Sequence, residues 1–312
     1  MKGRVASVSV GEARGEPKRE VERAAFVEGV GIDGDAHAGT WHRQVSILDA
    51  ADVERTRALV PGIGPGAFAE NIVVEGMDLS RLGLGTLLET SSGVRLRVTQ
   101  IGKDCHDPCR IGRTTGACIL PARGLFARVE RGGTIAAGDE MGVTDLVERS
   151  RIQAVVVTVS DRRSVGSAED TAGPATAGVL RARLGAHVYR IEVVPDERER
   201  IEDRLKHYCD GHSIDLVVTV GGTGFSPRDV TPEATRAVVE RPAPGLDEAM
   251  RAASAARTPR ACLSRGASGI RGSTLILNLP GSVKAAVENL EAVLDALPHG
   301  IEKLRGSRAD CA

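Results

Sequence analysis

The chain has 312 residues, of which 41% are apolar, 27% charged and 2% aromatic, and its net charge is -1. Such a length predicts two domains, while near-neutral charge and so few rings argue against a nucleic-acid surface built on basic patches or stacking platforms. No apolar run approaches the ~18 residues that would span a bilayer, and MKGRVASVSVGEARGEPKRE has no apolar signal core, so a cytoplasmic protein with no membrane partner is expected.

The first half reads as strands. RVASVSV (4–10), QVSIL (44–48), NIVVEG (71–76) and GTLLET (85–90) are short β-type runs. VRLRVT (94–99) alternates, with Val94, Leu96 and Val98 on one face and Arg95, Arg97 and Thr99 on the other. Ser91-Ser92-Gly93 supplies the hairpin connection into it. Many short strands with few convincing helices predict a closed or half-closed β-barrel over residues 1–145.

Between these strands and the second half lies QIGKDCHDPCRIGRTTGAC (100–118), which holds three of the six cysteines. Upstream, Asp33, Asp35, His37 and His42 offer further ligands. Three readings of Cys105, His106, Cys109 and Cys118 stay open: a tetrahedral zinc site, ordinary thiols, or one reactive or metal-binding cysteine. For the last, Lys103, His106 and Arg110 would favour the thiolate, a soft ligand and strong nucleophile. Arg128 could meet an anionic group or lie on the surface. A charged stretch, DLVERSRIQ (145–153), marks the boundary.

From there the pattern alternates strand and helix over residues 152–312. AVVVTV (154–159), VYRIEVV (188–194), DLVVTV (215–220) and TLILNL (274–279) have the compact apolar form of buried parallel strands. Ile201, Leu205 and Tyr208 share one helical face. Thr231-Pro232 reads as an N-cap followed by proline at the first helical position, and Ser282 as the cap of a long helix running past Leu290. A three-layer α/β domain with a mostly parallel sheet is predicted.

Each of the four runs ends in polar or glycine-rich residues: Ser160-Asp161-Arg162, Pro195-Asp196-Glu197, Gly221-Gly222-Thr223-Gly224 and Pro280-Gly281-Ser282. In an open α/β sheet, ligands bind at the carboxyl ends of the strands. Glycine there lets backbone amides cradle an anion. The loop after Gly224 adds Arg228, Asp229 and a helix start. No G-x-x-x-x-G-K-[ST] occurs, so a Walker-type nucleotide site is excluded. Asp161, Asp196 and Asp229 are expected at one cleft, where hard oxygens beside phosphates suit Mg²⁺. The plain alternative for Asp196 is a helix N-cap.

VVTVSDR (156–162), GGTG…RDVTPEAT, PGLDEAMR (244–251) and LSRGASGIRGSTLILNLPGS (263–282) resemble the molybdopterin adenylyltransferase family, which includes domains of gephyrin-like and plant molybdenum-cofactor proteins. The resemblance implies transfer of AMP from Mg-ATP to the terminal phosphate of molybdopterin. It implies Asp196 and Asp229 as the essential, Mg²⁺-holding aspartates. Nucleotide and pterin contacts would fall on Ser160, Asp161, Gly221, Gly222, Thr223, Gly224, Arg228, Ser264, Arg265, Pro280 and Gly281, with Glu248 and Arg251 nearby. It further implies a homo-oligomer, trimer or hexamer, and partners among other molybdenum-cofactor biosynthesis proteins.

In the first half, GIDGDAHAG, ENIVVEG, LGLGTLLE and the Pro108-Cys109 pair resemble the MOSC domain, a β-barrel module of molybdenum-cofactor sulfurases. That resemblance implies a cysteine, Cys109, that carries sulfur or binds molybdenum in the cofactor, and a family-level association with pyridoxal phosphate. Two other functions stay open. One is a cofactor-binding or carrier protein without transferase activity, and the other a zinc-stabilised scaffold.

Overall fold

The structure is a computed structural model and describes residues 1–60, 62–103 and 118–307. The chain divides into two compact units, Met1–Ser150 and Arg151–Ala312.

In the first unit, β1 (Lys2–Val10), β2 (Arg19–Val21), β3 (Arg23–Val27), β4 (Gly31–Ile32) and β5 (Val45–Asp49) precede a helix, α1 (Ala50–Leu59). They are followed by β6 (Ile72–Glu75), β7 (Leu87–Thr90), β8 (Arg95–Ile101), a short helix α2 (Leu120–Arg123), β9 (Leu125–Arg131), β10 (Gly133–Ala136) and β11 (Glu140–Asp145). Strand order β11-β7-β8-β9-β5-β6-β1 closes on itself because β1 also pairs with β11, giving a seven-stranded barrel. Closure leaves these strands no free edge. Val94, just before β8, and Leu96 and Val98 on it are fully buried, as the alternation predicts, but Thr99 is buried too. Its hydroxyl bonds the carbonyls of His42 and Phe126, so the polar face of that strand turns inward at its end.

Asp35, read from sequence as a possible ligand, is a structural group. Its buried carboxylate accepts from Lys18 Nζ at 2.8 Å, Asn71 Nδ2 at 2.9 Å, His37 N at 2.9 Å and Gly11 N at 3.1 Å. Both oxygens are thereby engaged. Burial disfavours its charge, but the bonds from His37 and the Lys18 ammonium outweigh that and hold the carboxyl well below the usual range. Cys105, His106 and Cys109 lie outside the described residues; Cys118 is half-buried and Arg128 is exposed. Among the described residues, no cluster of three or more His, Cys, Asp or Glu could hold a metal, and no helix is long and apolar enough to cross a membrane.

The second unit runs β12 (Gln153–Val159), α3 (Asp161–Ser164), α4 (Ala172–Leu184), β13 (His187–Val194), α5 (Arg198–Gly211), β14 (Leu216–Val220) and α6 (Thr231–Val238). Then come β15 (Arg241–Pro242), α7 (Pro244–Ala255), β16 (Gly269–Arg271), β17 (Thr274–Leu279), α8 (Val283–Val293) and α9 (Leu297–Leu304). The sheet order is β13-β12-β14-β17-β16-β15. The first four strands are parallel; β16 pairs antiparallel with β17, and β15 antiparallel with β16. Every residue of β12 and β14 is buried, which explains why both read as unbroken apolar runs.

Alternate residues feed two cores. Ala154, Val156, Leu216, Val218, Leu275 and Leu277 pack with Ala177, Leu180, Leu290 and Ile301 of α4, α8 and α9. The intervening positions turn to the opposite face, where Asn278 Nδ2 bonds Thr235 of α6 at 3.0 Å. On α5, Ile201, Leu205 and Tyr208 are buried as their spacing predicts, each such side chain contributing about 1.5–3 kcal/mol.

The chain leaves β12 toward β13 on one side, then returns to place β14 on the other. The carboxyl ends of β12 and β14 therefore flank a switch point, the place where open α/β sheets leave a crevice for ligands.

Candidate active site

Two glycines shape the crevice. Gly221 (φ 114°) and Gly222 (φ 62°) turn the chain sharply as it leaves β14. A Cβ on Gly221 would stand 2.4 Å from the Val159 carbonyl, so the turn passes directly over the end of β12. Thr231, expected as the N-cap of α6, is instead its first residue, with Val230 as the cap. The Thr231 hydroxyl donates to the Gly221 carbonyl at 2.9 Å and its N–H donates to Gly222 O at 3.2 Å. It holds the turn against the helix, a duty that outranks capping here. Ser282 does cap α8, accepting from Ala285 N.

Asp196 does not cap α5; Glu197 occupies that position without a side-chain cap bond. Asp196 Oδ2 instead accepts from Asp161 N at 2.7 Å, and Asp161 Oδ1 accepts from Asp196 N at 2.9 Å. This reciprocal pair ties the loops after β12 and β13 together. Asp161 also takes a bidentate bond from Arg228, Nε at 2.9 Å and Nη2 at 2.7 Å. Those Arg228 bonds hold the Asp161 carboxyl below its ordinary value. Asp196 moves the other way: burial raises it first, and the charges of Asp161 and Asp229 raise it further.

Asp229 stands on the other side of the turn. Its Oδ2 accepts from Ser226 N at 2.9 Å and would lie 2.9 Å from a Cβ on Gly224. A Cβ on Gly222 would lie 3.2 Å from Asp196 Oδ1. Both aspartates therefore abut the same four-residue turn, each with one oxygen bound to a backbone amide. Arg265 fixes the far side of this loop: Nε donates to Gly224 O at 2.7 Å, Nη2 to Asp229 O, and Nη1 to Glu233 at 2.5 Å. Burial opposes the Glu233 charge, but the Arg265 bond wins and keeps its pKa lowered.

A cleft of about 450 Å³ opens beside the turn. Of the residues singled out from sequence, Gly222, Thr223, Gly224, Asp229, Ser264, Pro280 and Gly281 line it. Asp196 and Arg228 line a separate cleft that shares no lining residue with the main one, so the three aspartates expected at one cleft are divided, and Arg265 lines a third that shares Asp229. Gly221 is buried beneath the turn, and the Ser160 hydroxyl oxygen caps α3 through Arg163 N at 3.4 Å. Glu248 is exposed and lines none of these three clefts. On α7, Asp247, Met250, Arg251 and Ser254 follow i, i+3, i+4, i+7 spacing toward the interior, and Glu248 is rotated off that face. Arg251 lines the main cleft, joined by Ser254, Thr258, Arg260 and Asn289, which sequence reasoning missed. Their only signal was the Arg251/Ser254 helical spacing and the Thr258-Pro259 cap.

A parallel-sheet switch point with a glycine turn, two neighbouring carboxylates and arginines beside them has the makings of an anion and cation site in an α/β protein. Residues 155–299 match the family described as "Probable molybdopterin binding domain", and residues 34–142 match the MOSC domain. Over 153 residues the chain is 45% identical to molybdopterin adenylyltransferase of Helicobacter pylori strain J99, spanning 49% of this chain and 87% of that protein. It is 44% identical over 155 residues to gephyrin of Dictyostelium discoideum, spanning 47% of this chain and 21% of that protein. A solved structure of the molybdopterin biosynthesis enzyme MoaB from Thermus thermophilus is 47% identical, with 50% of this chain and 98% of that chain covered, at a TM-score of 0.48. The chain belongs to the molybdopterin adenylyltransferase family, with a MOSC domain in its N-terminal half.

Proposed function

We propose that the domain over 152–312 transfers AMP from ATP to the terminal phosphate of molybdopterin, in molybdenum cofactor biosynthesis. The observation that carries this reading is the meeting of Asp196 and Asp229 at the Gly221–Gly224 turn. The family relationship supports the same substrates.

The chemistry asks for positioning more than for proton transfer. A phosphate monoester is already anionic at neutral pH. Its oxygen attacks the α-phosphorus of ATP and a new P–O–P bond forms. The bond from that phosphorus to the bridging oxygen of the β-phosphate breaks, and pyrophosphate leaves with the electron pair. The turn amides and Arg228 then serve to hold two polyanions in line and to offset charge on the leaving group. Binding of phosphate would give Arg228 a second anion to choose over Asp161. The apposed carboxylates suit a divalent cation, since the Asp229 charge adds to the cost of ionising Asp196 in its absence. Their remaining oxygens would hold Mg²⁺, which supplies charge neutralisation between the phosphates when bound.

For the barrel over 1–145, the MOSC match supports a role in binding, carrying or modifying the cofactor or its sulfur, with Cys109 as the residue that the resemblance nominates. Joining the two domains raises the effective concentration of product at the barrel. Assembly as a trimer or hexamer in the cytoplasm, and contact with other cofactor-making proteins, belong to the same reading. The deciding experiment incubates the protein with molybdopterin and Mg-ATP and measures pyrophosphate. Release dependent on both substrates is expected. Binding of the pterin without any ATP-dependent release would leave a carrier protein instead.

A further inference from the structure

The main cleft has two unlike walls. One is the glycine turn with Asp229, Pro280 and Gly281; the other is built from α7, α8 and a 3-10 turn at Pro259–Leu263. Asn289 Nδ2 donates to Ser254 Oγ at 3.0 Å and ties α7 to α8 across this second wall. Thr258 Oγ1 accepts from Arg260 N at 3.3 Å, fixing the backbone of the 3-10 turn.

That second wall presents two guanidinium groups, Arg251 and Arg260. Neither is bonded to a carboxylate among the described residues, which sets them apart from their neighbours. Arg257, just past the end of α7, is paired with Glu288 at 2.7 Å. Arg228 is held by Asp161 and Arg265 by Glu233. Asp229 is the one carboxylate among the described residues that line this cleft, and it belongs to the other wall. Arg251 feels the charge of Asp247 one turn back on α7, but that carboxylate is buried and bonded to Ser268, so a half-buried cleft with two guanidinium groups that bond no carboxylate on one side is complementary to an anion. Guanidinium forks match phosphate oxygens in geometry as well as charge.

We propose that Arg251 and Arg260 form a second phosphate subsite, on the helical wall across from Asp229. It receives a phosphate other than the one at the Gly221–Gly224 turn. The inference rests on the adenylyl-transfer reading for the identity of the phosphate: the β- and γ-phosphates of ATP, or the phosphomonoester of molybdopterin. Arg260 comes from an exposed turn and sets selectivity at the rim; Arg251, half-buried on α7, anchors the group deeper in the cleft.

Direct binding tests this without turnover, so its failure is distinct from failure of the transfer reading. Calorimetric titrations of the full chain with pyrophosphate, ATP, molybdopterin and adenosine are compared for the wild type, Arg251→Met and Arg260→Met. Loss of one charge-assisted contact should raise the Kd of the recognised ligand about tenfold. Weaker pyrophosphate and ATP binding with unchanged molybdopterin assigns the subsite to the nucleotide tail. Weaker molybdopterin binding with unchanged pyrophosphate assigns it to the pterin phosphate. In either case Arg260→Lys should recover part of the loss, and added salt should narrow the gap between wild type and variant. Two results would overturn the proposal: less than a twofold change for every phosphate ligand, or an equal weakening of adenosine, which carries no phosphate.

Discussion

Replacing Gly222 by alanine adds one carbon, and the structure dictates where it goes. The residue lies at φ 62°, a left-handed conformation that costs an L side chain roughly 1–2 kcal/mol. The new Cβ would stand 2.3 Å from Thr231 Oγ1, far inside contact distance. Thr231 is fully buried and its hydroxyl is bonded to Gly221 O at 2.9 Å, so relief requires breaking that bond, at about 0.5–1.5 kcal/mol. The combined loss, roughly 1.5–3.5 kcal/mol, is below the ~5–15 kcal/mol that stabilises a typical domain. The variant should therefore fold, with a melting temperature lower by roughly 3–14 °C. Activity should suffer more than stability. The same Cβ lies 3.2 Å from Asp196 Oδ1, which asks only a few tenths of an ångström of the carboxylate, but relieving the 2.3 Å clash with Thr231 moves the turn by roughly 1 Å, and misplacement of that size costs about 100-fold in rate. Pyrophosphate release from Mg-ATP and molybdopterin should fall by about two orders of magnitude, alongside a cooperative melt followed by circular dichroism. Gly178→Ala is the control: nothing lies within 4 Å of its Cβ, and alanine inside α4 should be neutral or stabilising by about 0.5–1 kcal/mol. A Gly222→Ala enzyme that keeps a third or more of wild-type turnover would refute the reasoning.

Asp229→Ala should cut pyrophosphate release by roughly 100- to 1,000-fold with an unchanged melting curve; turnover within tenfold of the wild type would remove Asp229 from the reacting centre. Because burial and the charges of Asp161 and Asp229 raise Asp196, the ionised form is lost as pH falls at a higher pH than for an ordinary carboxylate. The acid limb of kcat/KM should therefore move to lower pH as Mg²⁺ concentration rises, and a limb indifferent to Mg²⁺ would count against a metal at Asp196. In the barrel, Lys18→Met strands the buried Asp35 charge and should destabilise that unit by about 3–5 kcal/mol. Trp41, the single tryptophan, donates to His37 O at 2.7 Å and reports this unit by fluorescence. The depressed Asp35 pKa contributes stability that is complete above about pH 4 and lost as pH falls through the folded value. Asp35→Asn should flatten that acid dependence; an equally steep loss in the variant would assign it to other groups.

The second half was legible because its signals are local. A buried parallel strand must be apolar on both faces, so β12, β14 and β17 announce themselves as runs. Glycines directly after such a run mark a sharp turn at a sheet edge. The partners of each polar group were not legible, because those bonds join residues far apart in sequence. Asp196 precedes a helix and has the local chemistry of a cap, yet it bonds Asp161, 35 positions away. Thr231 has the local chemistry of a cap as well, and tertiary demand turns it onto Gly221. Arg260 belongs to no motif and enters the cleft only because the 3-10 turn folds back against the glycine loop, with Arg265 N bonded to Thr223 O at 3.0 Å.

Charge accounting separates the two aspartate-rich segments that sequence alone treats alike. GIDGDAHAG and the strand-end aspartates of the second half both place carboxylates beside glycine and histidine or arginine. In the barrel, the Asp35 side chain is fully buried and meets one ammonium, three further N–H donors and the His37 ring, which leaves it no capacity for a ligand. In the α/β domain, Asp196 and Asp229 are half-buried, each spends one oxygen on a backbone amide, and no cation among the described residues bonds either carboxylate. A carboxylate whose charge is already matched stabilises a fold; under the proposed function, a pair that bonds no cation beside the glycine turn would take a divalent cation and the phosphates it accompanies. The guanidinium groups of Arg251 and Arg260, which line the same cleft as Asp229 and bond no carboxylate among the described residues, would be the complementary half of that arrangement.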